Sequence, residues 1–192
     1  MIGGELALRD GARGPFRVLV LCSGNSARSQ IAEALLTAGG AARPAGRVVG
    51  ASAGSRPAPR VHPLAVAVLA DHGILWEGHT PRSVDDVAAA LRPGEGFDLV
   101  VTVCDDTREA CPYFPGAAAH VHWGLPDPAA VSPAPAARAA FKATYDALAA
   151  RVDALLALPL ERLDPAALRA RAQAVHGGRL GASLVAPDQG RV

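Results

Sequence analysis

Phe16-Arg17-Val18-Leu19-Val20-Leu21-Cys22-Ser23-Gly24-Asn25-Ser26-Ala27-Arg28-Ser29 is the stretch from which the fold can be read. Phe16 to Leu21 is an apolar run of strand length. The chain then turns small and polar. From about Ala27 an apolar spacing resumes at Ile31, Ala34 and Leu35, which predicts a helix over 27–38 stopped by Gly39-Gly40. A buried strand therefore feeds a short loop that opens a helix. Cys22 and Arg28 stand at the two ends of that loop with five residues between them. Such a spacing lets the backbone N–H groups converge at a helix N-terminus and form an anion nest. With Arg28 beside it, the nest suits a thiolate at Cys22 and a tetrahedral oxyanion next to it. Ser23, Gly24, Asn25, Ser26, Ala27 and Arg28 are the candidate oxyanion-binding residues, and Cys22 is the candidate nucleophile.

Outward from this unit the chain continues to alternate. Arg47 to Ser52 reads as a second strand, and the turn formers of Gly54 to Pro59 lead to a helix from Pro63 to Gly73. A short helix over Val84–Leu91 ends at Pro93-Gly94. Asp98 to Val103 and Ala119 to Trp123 read as two more strands. A long Ala-rich helix spans about Pro135 to Leu158, and another begins after Asp164-Pro165, an N-cap followed by proline. Strands alternating with helices imply a parallel sheet covered on both faces, with its site at the C-terminal strand ends. Cys22, Cys104 and the segment after Trp123 all fall at such ends. Residues 1–15 read as a loose leader and 16–158 as the main domain. Residues 159–192 read as a C-terminal helical extension and tail, whose helix is expected to pack on the chain's own core.

Only 4% of the residues are aromatic although 50% are hydrophobic, so Ala, Val and Leu must fill the core. A net charge of +1 argues against nucleic acid or an acidic membrane surface as a general partner. No stretch has the length of a membrane span and no signal pattern opens the chain, which reads as cytoplasmic. In a reducing compartment three cysteines suit catalysis, redox chemistry or metal binding better than a disulfide framework.

Cys104 and Cys111 are seven residues apart. In a helix they would share a face two turns apart, roughly 10 Å along the axis, whereas a disulfide needs Cα atoms within about 7 Å. Bonding them would require the segment to unwind, which Pro112 and its polar neighbours make easy. The pair reads as a redox switch. Two blander readings stand beside it: a zinc site from Cys104, Cys111, His120 and His122, whose spacing lacks the compact ligand pairs of such sites, and an inert buried thiol at Cys111. Asp127, between Pro126 and Pro128, is a carboxylate in a stiffened loop that could protonate a leaving oxygen, although such a tripeptide is more often only a turn.

Taken together, the Cys22–Ser29 loop, the Cys104/Cys111 pair and His122-Trp123-Gly124-Leu125-Pro126-Asp127-Pro128 resemble the thioredoxin-coupled arsenate reductases. These are built on the low-molecular-weight protein tyrosine phosphatase fold. The resemblance runs from about Phe16 to Leu158 and includes Ala51-Ser52-Ala53-Gly54 and His62-Pro63-Leu64-Ala65. It implies a three-layer α/β fold with a four-stranded parallel sheet, arsenate as substrate, thioredoxin as reductant and no organic cofactor. It also implies roles. Cys22 attacks arsenate held by the loop and Arg28, Ser29 hydrogen-bonds the sulfur, and Asp127 protonates the departing oxygen. Cys104 then attacks Cys22 with release of arsenite, and Cys111 attacks Cys104, leaving a disulfide for thioredoxin to reduce.

A tyrosine phosphatase on the same fold is the nearest competitor, since it would share loop and acid. Phosphatases of this kind resemble one another in a second cysteine before the loop arginine and in tyrosines after the Asp-Pro. Here those places hold Ala27 and Ala129-Ala130. A non-catalytic oxyanion or redox-sensing module would use the same nest but leave Asp127 without work. Some members of the family hold potassium through Asn, Glu, Ser and Asp side chains. Asn25, Glu33 and Ser52 match the first three, but the stretch where the Asp would lie is His79-Thr80-Pro81-Arg82-Ser83. A cation there would face Arg82, so Asn25 and Glu33 are expected instead to hydrogen-bond within the loop and its helix.

Overall fold

A computed structural model describes residues 14–43, 47–77, 79–105 and 113–177. Its elements are β1 (Phe16–Cys22), α1 (Arg28–Ala41), β2 (Val48–Gly54), α2 (Pro63–Asp71), α3 (Val84–Ala89), β3 (Leu99–Thr102), β4 (Ala119–His122), α4 (Ala134–Leu156) and α5 (Pro165–His176). The strands form one parallel sheet in the order β2-β1-β3-β4. Because side chains alternate across a strand, β1 serves two cores. Val18, Val20 and Cys22 join a cluster with Ile31, Leu36, Phe141, Leu148 and Leu168. Leu19 and Leu21 join the smaller one with Val87, Phe97, Val100 and Phe114. The fold is the expected three-layer α/β sandwich with a C-terminal helix.

This strand order fixes where a site can form. From β1 the chain crosses α1 to β2 on one side, then returns past β1 to reach β3 on the other. The loops leaving β1 and β3 thus diverge, and the crevice between them is the switch point at which open α/β sheets bind ligands.

Most element boundaries fall within two or three residues of the sequence reading, and two differences have clear causes. β2 runs on to Gly54 instead of ending at Ser52, because its pairing with β1 continues to the Cys22–Gly54 register. α1 passes through Gly39-Gly40 to Ala41. A Cβ at Gly40 would lie 2.4 Å from the Val48 carbonyl oxygen, so this glycine admits the close approach of β2 instead of stopping the helix.

α5 packs on the outer side of the sheet through buried Leu168, Ala172 and Val175. The Trp123 indole N–H donates to the Ala172 carbonyl at 2.9 Å. In the parallel ladder His120 and His122 of edge strand β4 turn their backbone groups outward, and those of His122 meet Gln173. The Gln173 amide takes both groups, accepting from the His122 N–H at 3.0 Å and donating to the His122 carbonyl at 2.9 Å. Residues 1–13 and 178–192 of the predicted leader and tail lie outside the described residues. So does 106–112, with Cys111.

Candidate active site

The loop after Cys22 is shaped by a neighbouring segment. The carbonyls of Ser23, Gly24 and Ser26 accept the N–H groups of Arg56, Ala58 and His62 at 2.9, 2.8 and 2.8 Å. In a trans peptide the following N–H points opposite to the carbonyl. The amides of Gly24, Asn25 and Ala27 are therefore turned to the loop's inner side, and the Asn25 N–H meets Cys22 Sγ at 3.2 Å. Asn25 adopts φ +46°, a left-handed conformation that Asn tolerates better than most residues. α1 starts after Ala27 with no side-chain cap, which leaves its first N–H groups to an anion.

Gly54 is the floor of this loop. A Cβ there would stand 2.6 Å from the Ser23 carbonyl oxygen and 2.9 Å from the Asn25 nitrogen. Gly54→Ala should therefore push the loop out of shape, lowering oxyanion affinity about tenfold or more with a stability loss of about 1–3 kcal/mol. Calorimetric titration with inorganic phosphate and a thermal melt check both expectations. Wild-type affinity in the variant would show that the loop does not depend on this approach.

Around the sulfur the side chains form one connected set. Asn25 Oδ1 accepts the Arg82 backbone N–H at 2.7 Å, an unambiguous donor that fixes the amide's orientation. The Gln30 amide donates to the same oxygen at 3.3 Å and accepts the Trp76 indole N–H at 2.8 Å. Asn25 Nδ2 consequently donates to Ser29 Oγ at 2.9 Å and Ser52 Oγ at 2.7 Å. The Ser29 hydroxyl stands 3.0 Å from Cys22 Sγ, where it can donate to a thiolate. Ser52 donates to Glu33 Oε2 at 2.5 Å, and the Arg82 guanidinium lies 3.1 Å from Glu33 Oε1. Burial pushes the Glu33 carboxyl above its usual range, opposed by the Ser52 hydroxyl and the Arg82 charge.

This donor set does not suit potassium. The Asn25 oxygen is engaged away from Ser52, its NH₂ faces the serines, and a guanidinium sits on Glu33. A cation wants oxygens where these residues present N–H groups.

Arg28 is 3% exposed and joins three segments. Its Nη1 donates to the Leu125 carbonyl at 3.0 Å and more weakly to that of Val103 at 3.5 Å, while Nη2 is 3.4 Å from Asp127 Oδ1. Asp127 is held by the two prolines and accepts the Ala129 N–H at 3.2 Å. Its carboxylate is more than a third exposed at the mouth of the site. Cys104 is fully buried two residues beyond Thr102, whose register partner is Leu21. It leaves β3 beside the end of β1, on strands about 4.8 Å apart. The structure thus gathers Cys22, Ser23 to Ser29, Cys104 and Asp127 at one sheet edge.

The two histidines weighed for zinc are engaged elsewhere. His122 Nδ1 is 2.6 Å from Thr102 Oγ1 and His120 Nε2 is 2.7 Å from the Phe114 carbonyl oxygen. The second arm of the Asn25 network, Gln30 and Trp76, was not visible in the sequence. A glutamine on a helix and a distant tryptophan carry no motif.

The model of the family described as low molecular weight phosphotyrosine protein phosphatase matches residues 17–170. An arsenate reductase of Staphylococcus epidermidis is 33% identical over 112 residues, which cover 58% of this chain and 78% of that protein. One from Halalkalibacterium halodurans is 33% identical over 112 residues, covering 58% and 73%. Among solved structures, the arsenate reductase of Archaeoglobus fulgidus superposes with a TM-score of 0.57 at 28% identity, over 73% of this chain and 99% of that one. A thioredoxin-dependent arsenate reductase of Corynebacterium glutamicum superposes with a TM-score of 0.52 at 29% identity, over 74% and 61%. The βα loop with its cysteine and arginine, the sheet order and the match over most of the chain agree: this protein belongs to the low molecular weight phosphotyrosine protein phosphatase family, and the Staphylococcus epidermidis and Halalkalibacterium halodurans proteins it resembles are arsenate reductases.

Proposed function

We propose that the protein is an arsenate reductase that passes electrons through Cys22, Cys104 and Cys111 and is regenerated by thioredoxin. The observation that carries this reading is the burial of a second thiol, Cys104, at the strand end beside the Cys22 loop. Hydrolysis of a phosphate ester by the same loop and Asp127 gives that thiol nothing to do.

In the first step the Cys22 thiolate attacks arsenic, forming a sulfur–arsenic bond. One arsenate oxygen leaves as water, taking a proton from Asp127. The loop amides and Arg28 hold the remaining oxygens. The Cys104 thiolate then attacks Cys22 Sγ. The sulfur–sulfur bond forms as the sulfur–arsenic bond breaks, its electron pair reduces arsenic from the pentavalent to the trivalent state, and arsenite departs. Attack of Cys111 on Cys104 releases the Cys22 thiolate and moves the disulfide outward. A dithiol reductant such as thioredoxin supplies the two electrons that reopen it. Family likeness to arsenate reductases, one of them described as thioredoxin-dependent, supports substrate and reductant.

Steady-state turnover of arsenate with a thioredoxin system tests the relay. Cys104→Ser should release no arsenite and keep arsenic on Cys22, and Cys111→Ser should stop after about one turnover with a Cys22–Cys104 disulfide visible by mass spectrometry. Full multiple turnover in Cys111→Ser would refute the relay.

A further inference from the structure

We propose that Arg82 is a positioning residue whose guanidinium, seated on Glu33, is the built-in cation of the Cys22 loop, so that oxyanion binding needs no added monovalent cation. Residue 82 touches the Asn25 network twice. Its backbone N–H fixes the Asn25 amide at 2.7 Å, and its side chain sits 3.1 Å from Glu33 Oε1. From Glu33 the contacts run without a break through Ser52, Asn25 and Ser29 to Cys22 Sγ, at 2.5, 2.7, 2.9 and 3.0 Å. Asn25 takes its orientation from the Arg82 N–H, and Glu33 is the carboxylate at the far end of the chain.

A nearly buried carboxylate needs a positive partner. The Glu33 side chain is 10% exposed while that of Arg82 is 43% exposed. The guanidinium therefore reaches in from the surface to cover a charge that faces the interior. Its backbone is anchored independently, because the Arg82 carbonyl accepts the Gly54 N–H at 2.9 Å. Changing the side chain alone should thus leave the backbone contact on Asn25 in place and remove only the cation. Contact through one guanidinium nitrogen is geometry that a lysine can copy as a point charge.

The test uses inorganic phosphate as the oxyanion probe, titrated calorimetrically into the full chain in potassium chloride and in choline chloride of equal ionic strength. Wild-type affinity and melting temperature should be the same in both salts. Arg82→Ala should bind phosphate about tenfold more weakly, while Arg82→Lys should stay within about threefold of wild type. Tightening of wild-type binding, or a rise in its melting temperature, on going from choline to potassium would overturn the proposal. Wild-type affinity in Arg82→Ala would do the same. So would an Arg82→Ala protein that melts lower yet binds phosphate normally, since that is a structural role only. The inference shares its loop with the arsenate reductase reading, but none of these readouts requires arsenate turnover, so either can fail alone.

Discussion

Cys22→Ser should abolish arsenate reduction, with a loss of about a millionfold. The serine oxygen takes the sulfur's place with the same two neighbours, the Ser29 hydroxyl and the Asn25 N–H. Folding and phosphate binding should therefore survive. What is lost is specific to sulfur. An arsenate ester on serine offers the Cys104 thiolate no sulfur to attack, so the arsenic–heteroatom bond cannot surrender its electron pair through disulfide formation. Arsenite release with a thioredoxin system, measured beside a phosphate titration and a thermal melt, checks this. A variant that bound phosphate normally and still released arsenite at more than about a thousandth of the wild-type rate would mean that the chemistry does not begin at Cys22.

Arg28→Lys is expected to lower kcat/KM by about a hundred- to a thousandfold while the charge at that position is kept. The reason is shape. The buried guanidinium contacts the Leu125 and Val103 carbonyls with one nitrogen and Asp127 with another, tying the Cys22 loop to the end of β3 and to the acid. A lysine is a point charge and cannot span these partners. It leaves carbonyls deep in the crevice short of a donor, at about 1–3 kcal/mol of stability. Kinetics with arsenate and a melt separate the two effects. If lysine restored wild-type kcat/KM, the planar fork would have no part in holding substrate or acid.

The parts of this molecule legible in the sequence are those written in contiguous residues. Phe16 to Ser29 carries strand, loop and helix start in order, and that single βα unit, repeated in looser form downstream, was enough to predict the parallel sheet. Gly39-Gly40 misled because a glycine pair looks the same whether it ends a helix or lets another backbone approach, and only the position of Val48 distinguishes them. Around the site, Ser29 and Asn25 lie within the motif. Gln30 and Trp76 enter through a side-chain contact across 46 positions of sequence, with no pattern to announce it. Arg82 fell between. Its place was read as hostile to a cation, but its hold on both Asn25 and Glu33 emerges only when β2 and the chain before α3 are brought together.

The Gln173 side chain lying along His122 has a consequence for how the protein avoids its own kind. An outer strand ordinarily offers its unpaired N–H and carbonyl groups to any extended chain that drifts past, and this is the route by which folded sheets join edge to edge. On β4 part of that invitation is answered, because the Gln173 amide takes both backbone groups of His122 as a neighbouring strand would. α5 thus covers the end of that edge strand as well as packing on the core. The contact asks of position 173 a side chain able both to donate and to accept at the C-terminal end of that strand.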